Sequence, residues 1–272
     1  MTPIPFPSYR ERYLPALSVA RIQSLSDREW APVIIGTGAI EQHGPHLPVA
    51  VDSFLGEVWI SRIISGLPAE ASCYVGPPIT IGKSNEHIGF PGTLMISKET
   101  LRSQLLAIAR QLNRWGFRHI LVHNSHGGNV SVLIYTMDEI RADLGMSIRF
   151  TASGFKPPIS RQEAAYGFHA NEVETALMYA KAGAFCNPSA ALCHYPASIS
   201  DPGELRPESA PATFSWATQD ISISGVMGDA SAGTAANGNK WLDDGSAGLI
   251  AFVAQVSAAN KEAYLKKLGK GG

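Results

Sequence analysis

The sequence predicts an α/β fold in which a mostly parallel sheet carries helices on both faces. Short, continuously apolar runs, such as residues 31–36 and 119–124, alternate with longer segments of helical periodicity. Runs of this kind are typical of parallel strands buried on both faces, and the alternation with helices is typical of parallel α/β sheets. A chain of 272 residues is long enough for one large domain, and we expect a single domain over residues 1–272.

The first half of the chain gives the predicted elements in order. A short helix over residues 18–29 precedes the first buried strand at 31–36, and a helix follows from Asp52 to Gly66. A weaker strand is expected at 72–75. Residues 82–93 then show neither helical nor strand periodicity, so we expect a loop there. Loops at strand ends carry function in such folds.

The next elements repeat the same pattern. Ser97 caps a helix that Gly116 ends, and a second buried strand follows at 119–124. A helix over residues 130–145 and a strand over 146–151 complete the alternation. These elements therefore continue the strand–helix order of a parallel sheet.

The last part of the chain is less regular. Residues 168–178 read as a loop entering a helix, and residues 193–244 show little periodicity. A segment of that length without periodicity is usually a lid, an arm or a subunit contact. A final helix is expected over residues 246–268.

Composition limits the classes of partner. The formal net charge is -1, and Lys and Arg form no run, so neither nucleic acid nor an anionic membrane is an expected partner. Three cysteines without paired spacing argue against a disulfide framework and a cysteine zinc site. The first residues lack the apolar core of a signal peptide, and no apolar run could span a membrane. We expect a soluble, cytoplasmic protein that binds a small molecule.

Residues 36–52 contain a cluster of metal-binding side chains just after the first strand. Glu41 and His43 lie two positions apart, so in an extended segment both point to the same side. Asp52 follows at the expected start of a helix, where it is either a ligand or an N-cap. Carboxylates mixed with imidazoles suit zinc, manganese or iron better than calcium or magnesium. A polar loop without a metal is the alternative interpretation of Glu41 and His43.

Two later stretches belong to the same edge of the predicted sheet. His126 follows the second buried strand, and ligands bind beyond the carboxyl ends of strands in such sheets. His169 and Glu172, three residues apart, share a face of the helix expected there, whereas Glu174 is turned away from it. A capping or packing role is the alternative for His169.

Five ordered motifs resemble the creatininase (creatinine amidohydrolase) family. They are residues 38–48 with Asp52, Phe90-Pro91-Gly92-Thr93, Asn124-Ser125-His126-Gly127-Gly128-Asn129, His169-Ala170-Asn171-Glu172-Val173-Glu174-Thr175, and Gly225-Val226-Met227-Gly228-Asp229. The resemblance implies a three-layer α/β/α sandwich, a homo-oligomer that is commonly a hexamer, and two divalent metal ions that hydrolyse amide bonds outside peptides. Zinc is the favoured metal, with manganese or iron as alternatives.

The resemblance assigns ligands residue by residue. It makes Glu41, His43, Asp52 and His126 metal ligands, with Asp52 bridging the two ions. Creatininase has a glutamate where this chain has Gly128, so one ligand must come from elsewhere. Many relatives with two glycines here carry a glutamate three residues after the histidine of the fourth motif. We therefore expect Glu172 to complete the site, with Glu174 as an alternative ligand or a hydrogen-bonding neighbour.

The resemblance also suggests a reaction. His169 aligns with the histidine that donates or accepts the proton, and His87 and Asn129 are candidates for the substrate pocket. The tryptophans that shape the creatinine pocket have no convincing partners near Phe155 and Phe168, so creatinine is not the expected substrate. We expect a metal-activated water to cleave a non-peptide C–N bond of a small cyclic amide or formamide-like compound. A lactonase on the same site and a non-catalytic metal-binding assembly subunit are the alternatives.

Overall fold

The computed structural model describes residues 6–197, 199–205 and 215–269. A four-stranded sheet with the order β2-β1-β3-β4 lies at its centre. The strands are β1 (Pro32–Thr37), β2 (Tyr74–Val75), β3 (His119–Asn124) and β4 (Ser147–Phe150). All three pairings are parallel, which confirms the predicted sheet.

The helices follow the strands in the predicted alternation. They are α1 (Val19–Ser24), α2 (Val51–Gly66), α3 (Lys98–Arg114), α4 (Val130–Leu144), α5 (Arg161–Tyr166), α6 (Glu172–Ala182), α7 (Thr218–Ile221) and α8 (Ala235–Lys267). Short 3₁₀ turns lie between them, including Asn85–His87 and Gly127–Asn129 at the carboxyl edge of the sheet. None of these helices is long and apolar enough to cross a membrane, within the part of the chain that the structure describes.

The sheet is the middle layer of three. Side chains alternate along β1, so Val33 and Ile35 pack with α3 and α4 in one core. Ile34 points to the opposite face and packs with α2 and α8 in a second core. The continuous apolar runs of β1 and β3 are therefore buried on both faces, and the α/β/α sandwich is confirmed.

Helix α6 extends the second core beyond the sheet. Ala176 and Leu177 pack with Leu55 of α2 and with Trp241 of α8. Gly238 allows the closest approach of α6 and α8, since a Cβ there would collide with the carbonyl oxygen of Ala176. This close contact holds the middle of α6 against α8.

Two helix boundaries differ from the expectation. Helix α1 ends at Ser24, because residues 27–31 form a turn in which the amides of Trp30 and Ala31 bond to the Asp27 carbonyl. Helix α8 begins at Ala235, well before Ser246, with Thr234 as its N-cap. Glycines fill part of the buried face of that first stretch, so its helical period is hidden in the sequence.

The region expected to be an aperiodic arm contains more structure than predicted. In it β5 (Cys193–His194) pairs antiparallel with β6 (Gly228–Asp229), and α7 and the start of α8 also fall within it. Met227 forms a further bridge with His169. Residues 198 and 206–214 of this arm lie outside the described residues.

His123, a buried histidine on β3, should make the fold less stable in acid. His123 is 7% exposed, and its Nδ1 lies 2.9 Å from the Thr151 hydroxyl. Burial lowers the pKa of His123 to about 4. In the unfolded chain His123 takes up a proton near pH 6.5, whereas in the folded protein it does so only near pH 4. The contribution of the neutral ring to folding stability is therefore complete above pH 6.5 and is lost as the pH falls toward 4.

We therefore expect His123→Gln to reduce the acid sensitivity of the fold. Between pH 7 and pH 5 its unfolding free energy should fall by about 2 kcal/mol less than that of the wild type. Urea unfolding of both proteins at the two pH values measures the difference, in which the other histidines cancel. An equal loss in both proteins would contradict the prediction.

Candidate metal centre

Five metal-binding side chains meet beyond the carboxyl ends of β1 and β3. Glu41 lies with Asp52 and His126, and in each such group the ligand atoms are within 4.8 Å of one another. His43 forms a second group with Asp52 and Glu174. Asp52 belongs to both groups, and all but Glu174 are buried.

Asp52 stands between the two groups. Its Oδ1 lies 3.4 Å from His43 Nε2, and its Oδ2 lies 3.3 Å from His126 Nδ1. The N-cap of α2 is Ala50, and Asp52 makes no capping hydrogen bond. The capping interpretation of Asp52 is therefore wrong, and each of its oxygens faces one group.

Backbone carbonyls determine which imidazole nitrogen faces the cluster. His43 donates from Nδ1 to the carbonyl of Glu41 at 3.1 Å, and His126 donates from Nε2 to the carbonyl of Lys83 at 3.0 Å. A carbonyl can only accept, so these nitrogens carry the hydrogen. The lone pairs of His43 Nε2 and His126 Nδ1 are left facing the carboxylates, as in metal-binding histidines.

The cluster lacks hydrogen-bond partners where a metal would bind. Within the described residues, four of its buried atoms have no partner: Glu41 Oε2, His43 Nε2, Asp52 Oδ2 and Glu174 Oε2. Leaving such atoms unsatisfied costs about 1–3 kcal/mol each, and more when they are charged. Three carboxylates and two imidazoles fit a pair of divalent cations such as zinc, manganese or iron.

The pKa values of Glu174, Glu41 and His43 are all raised, which favours the protonated form of each group. Burial raises the pKa of Glu174 to about 7, although the nearby His43 opposes the shift. Burial also raises the pKa of Glu41. Against the effect of its own burial, His43 has its pKa raised to about 10 by the Asp52 carboxylate. Bound cations would take the place of these protons.

The structure brings Glu174, and not Glu172, to this cluster. Glu174 Oε2 lies 3.9 Å from His43 Nε2, whereas Glu172 belongs to none of the ligand groups found in the described residues. Burial, with the charges of Glu163 and Asp229, raises the pKa of Glu172.

The position of Glu172 outside the ligand groups has a local cause. Helix α6 begins at Glu172 with Asn171 as its N-cap, so His169 precedes the helix. Ala170 has a φ of 49°, which turns the chain between His169 and the helix. The two side chains therefore never share a helical face, and the spacing argument for Glu172 does not apply.

Gly128 shows why the missing glutamate could not stand in this loop. A Cβ at position 128 would collide with the Glu86 carboxylate, the His126 ring and the Lys83 carbonyl. Glu86 Oε1 lies 3.7 Å from His126 Nε2, and its other oxygen accepts from Lys83 Nζ at 3.2 Å. Sequence reasoning missed Glu86, for which position in the predicted loop at 82–93 was the available signal.

His169 lies against the cluster in a defined orientation. Its Nε2 donates to the Gln42 carbonyl at 2.7 Å, and its Nδ1 lies 3.6 Å from Glu41 Oε1. Burial, with the charges of His87 and His43, lowers the pKa of His169 well below its usual value. His169 also forms a ligand group with Glu41 and His43. It is thus a neutral imidazole with a lone pair toward the cluster.

His87 presents an N–H donor to the cluster, whereas His169 presents a lone pair. Its Nδ1 lies 2.9 Å from both Gln42 Nε2 and the Thr218 hydroxyl, so it is the accepting nitrogen. Its Nε2 therefore carries the hydrogen and lies 3.4 Å from Glu41 Oε1. Burial, with the charges of His43 and His126, lowers the pKa of His87 to about 3, so the ring is neutral.

Asn129, the other candidate for the substrate pocket, faces away from the cluster. Its Oδ1 accepts from the Lys83 amide at 2.9 Å, and its Nδ2 donates to the Gly38 carbonyl at 3.0 Å. The side chain is fully buried and holds two loops together. Both ends of its amide are thus used within the protein, and Asn129 is not among the residues that line the cavity above the cluster.

A small cavity opens above the cluster. It has a volume of about 70 Å³ and is lined by Glu41, Asp52, His87 and His169 among others. Phe168 and Trp216 also line it, with their rings edge to face at 6.0 Å. Trp216 comes from the irregular part of the arm, and no motif indicated it.

A family model described as creatinine amidohydrolase matches residues 16–253. The chain belongs to the creatininase family.

Three relatives within the family bear different names. The mycofactocin precursor peptide peptidase of Mycolicibacterium smegmatis is 39% identical over 103 residues, covering 37% of this chain and 41% of the relative. The 3-dehydro-scyllo-inosose hydrolase of Thermotoga maritima is 32% identical over 96 residues, 35% of this chain and 30% of that protein. The creatinine amidohydrolase of Pseudomonas putida is 31% identical over 111 residues, 39% of this chain and 41% of that protein. Each match spans less than half of the relative.

Solved creatininase structures share the fold over nearly the whole chain. A mutant creatininase complexed with creatine has a TM-score of 0.75 at 20% identity, covering 90% of this chain and 98% of that one. A manganese creatininase has a TM-score of 0.72 at 19% identity, covering 93% and 98%. A mutant creatininase of Zn-Zn type has a TM-score of 0.72 at 20% identity, also covering 93% and 98%. These likenesses confirm the fold.

The geometry predicts different metal contents for two neighbouring variants. Glu174→Gln should lose about one equivalent of zinc, because its carboxylate belongs to one of the two ligand groups. Glu172→Gln is the matched control, two residues away on the same helix, and should keep the full content. Elemental analysis after zinc loading and desalting measures both. Loss of zinc from Glu172→Gln with full retention by Glu174→Gln would reverse the assignment.

Proposed function

We propose that this creatininase-family protein is a hydrolase with two divalent metal ions that cleaves a non-peptide C–N bond. The proposed substrate is a small cyclic amide or a formamide-like compound. The observation that supports a paired site is the position of Asp52, whose two oxygens face separate ligand groups. The proposed ligands are Glu41, Asp52 and His126 for one ion, and His43, Asp52 and Glu174 for the other.

The bound cations would supply Lewis acidity and lower the pKa of a water molecule toward neutrality. Zinc is the first choice, with manganese or iron as alternatives, since mixed oxygen and nitrogen ligands accept all three. The names of the manganese and Zn-Zn creatininases support this choice. The homo-oligomer, the hexamer and the cytoplasmic location stay predictions.

His169 is the proposed proton carrier. A neutral imidazole whose Nδ1 lone pair faces the cluster can accept the proton that the attacking water loses. The same nitrogen can then deliver that proton to the leaving nitrogen, which otherwise departs poorly from the tetrahedral carbon. The hydrogen bond from Nε2 to the Gln42 carbonyl keeps the ring in place during both steps.

His87 is the proposed orienting donor. Its Nε2–H points to the same Glu41 oxygen that His169 faces, and the two imidazole rings lie against each other with their centroids 4.2 Å apart at the wall of the small cavity. A substrate oxygen in that cavity would receive a hydrogen bond from a ring that stays neutral near pH 7. Such a fixed donor stabilises charge that develops on a carbonyl oxygen.

A substrate panel tests the proposed reaction. The zinc-loaded protein should hydrolyse at least one of the hydantoins, lactams or formamides, with activity lost on chelation and restored by metal. Peptides are the second candidate class, because the Mycolicibacterium relative named a peptide peptidase is 39% identical over its matched residues. Turnover of peptides or lactones alone would contradict the proposed bond type. No turnover of any class by metal-replete protein would contradict the hydrolase itself.

His169→Ala should separate the chemistry from metal binding. We expect a loss of about 10²-fold or more in kcat on an amide, which is the usual effect of removing a proton carrier. The loss should be smaller on a lactone, whose oxygen leaves more easily. Metal content is measured in parallel. Near-normal amide turnover in a folded, metal-replete variant would exclude the role.

A buried histidine outside the proposed machinery serves as the control for this variant. His46 is 2% exposed and bonds through Nε2 to the Thr175 hydroxyl at 2.9 Å. His46→Ala should lower the melting temperature, while kcat of the folded fraction stays within about threefold of wild type. An equal drop in kcat for both variants would mean that His169 acts only through structure.

A further inference from the structure

A second and larger cavity lies beside the cluster. Its volume is about 350 Å³, against about 70 Å³ for the cavity above the cluster. Asp52, Ser125 and Glu174 line both cavities. Both spaces therefore border the carboxylates of the proposed active site.

The smaller cavity has little room for an organic substrate. A buried water needs about 10–15 Å³ of such volume, so the space above the cluster holds only a few atoms beyond the reacting groups. Ligand pockets commonly have about 300–1,000 Å³. The larger cavity reaches that range, so the part of the substrate that is not reacting fits there.

The walls of the larger cavity are apolar and aromatic. Leu55 and Trp59 come from α2, Leu177 from α6 and Trp241 from α8. Gly245 of α8 leaves room for the indole of Trp59, since a Cβ there would lie 2.8 Å from the ring. The side chains of the wall thus pack against one another and enclose an open space between them.

The neutral polar residues that line this space are His123, Asn124, Ser125, Thr151 and Ser153, and His123 offers an imidazole nitrogen to it. His123 alternates along β3 with Val122, so it lies on the same face as Leu121, toward α2 and α8. Its Nδ1 is held by the Thr151 hydroxyl at 2.9 Å, which leaves Nε2 for a ligand. Among the residues that line the cavity, Asp52 and Glu174 carry the charge, and both belong to the cluster. The outer part of the cavity therefore matches an uncharged group.

We propose that this cavity is the specificity pocket of the enzyme, binding a compact, uncharged apolar or aromatic substituent of the substrate, with His123 as its polar contact. The inference rests on the proposed hydrolysis for the position of the scissile bond. Its recognition part, however, depends only on the cavity. Binding can therefore be measured apart from turnover.

A series of 5-substituted hydantoins tests the pocket on the zinc-loaded protein. The ring is constant, and the substituent grows from hydrogen through methyl and isopropyl to benzyl. Calorimetry should show affinity rising by about fourfold for each buried methylene. The benzyl compound should bind at least about tenfold more tightly than hydantoin. Equal affinities across the series, or no binding of any member, would overturn the proposal.

Two variants fill the pocket from α6. Val173 and Leu177 both line it and lie one helical turn apart, and Val173→Phe or Leu177→Phe would occupy the space. Either change should abolish the preference for benzyl while affinity for hydantoin stays within about threefold. If Val173→Phe displaces its neighbour Glu174, the zinc content of that variant will fall. Leu177→Phe then provides the test of the pocket. A benzyl preference that survives in both folded variants would overturn the pocket.

A pair of histidine variants tests the polar contact. His123→Leu should weaken binding of 5-(4-pyridylmethyl)hydantoin, whose ring nitrogen can bond to a donor, by about fivefold or more relative to 5-benzylhydantoin. His119→Leu is the matched control on the same strand, at the end away from the cluster, and should leave that ratio unchanged. An unchanged ratio in His123→Leu would remove His123 from the pocket.

The results separate the two proposals. Preferential benzyl binding without turnover of any hydantoin, lactam or formamide would support the pocket and contradict the proposed reaction. Turnover that is indifferent to the substituent would support the reaction and contradict the pocket.

Discussion

The gathering of three carboxylates in one cluster, two of them buried and the third half-buried, is the constraint on which the rest of this structure depends. Glu41, Asp52 and Glu174 repel one another in a site of low dielectric, so the fold must hold them against that repulsion. Asp52 and Glu174 both lie in the first turn of a helix, where the positive end of the helix dipole favours a carboxylate. This support is partial, because the pKa of Glu174 is still raised by burial to about 7. The proposed divalent cations would supply the missing positive charge.

The backbone holds the cluster through buried polar contacts that lie outside it. Glu163, which is 1% exposed, accepts from the Glu172 amide at 2.8 Å, the Tyr195 hydroxyl at 2.8 Å and the Asp229 amide at 2.9 Å. One carboxylate thereby joins α5, the first turn of α6 and β6. Because Glu174 stands in that turn and His169 pairs with the residue before β6, Glu163 positions both without touching the site. The position of the site therefore depends on the hydrogen bonds of Glu163.

The sequence predicted best what depends on short-range pattern. The apolar runs of β1 and β3 predicted the sheet, and the chemistry of Glu41, His43, Asp52 and His126 predicted the cluster at its carboxyl edge. Glu172 was expected to share a helical face with His169, but helix α6 begins only at Glu172, and periodicity locates such boundaries only within a few residues. Glu86, Glu163 and Trp216 were missed for another reason. Their partners lie far away in the chain, so no local pattern marks them.

The proposed reaction and the proposed recognition are assigned to two cavities that different elements build. The cluster is made by strand ends, helix first turns and backbone carbonyls, and a change in any of these moves a ligand atom. The walls of the larger cavity come mainly from side chains of α2, α6 and α8, and the two cavities share Asp52, Ser125 and Glu174 as lining residues. A wall residue such as Leu177 can therefore change size while the carboxylates stay in place. Such a division suits a family whose members are named for a peptide, an inosose and creatinine, because the same reacting centre can serve beside differently shaped walls.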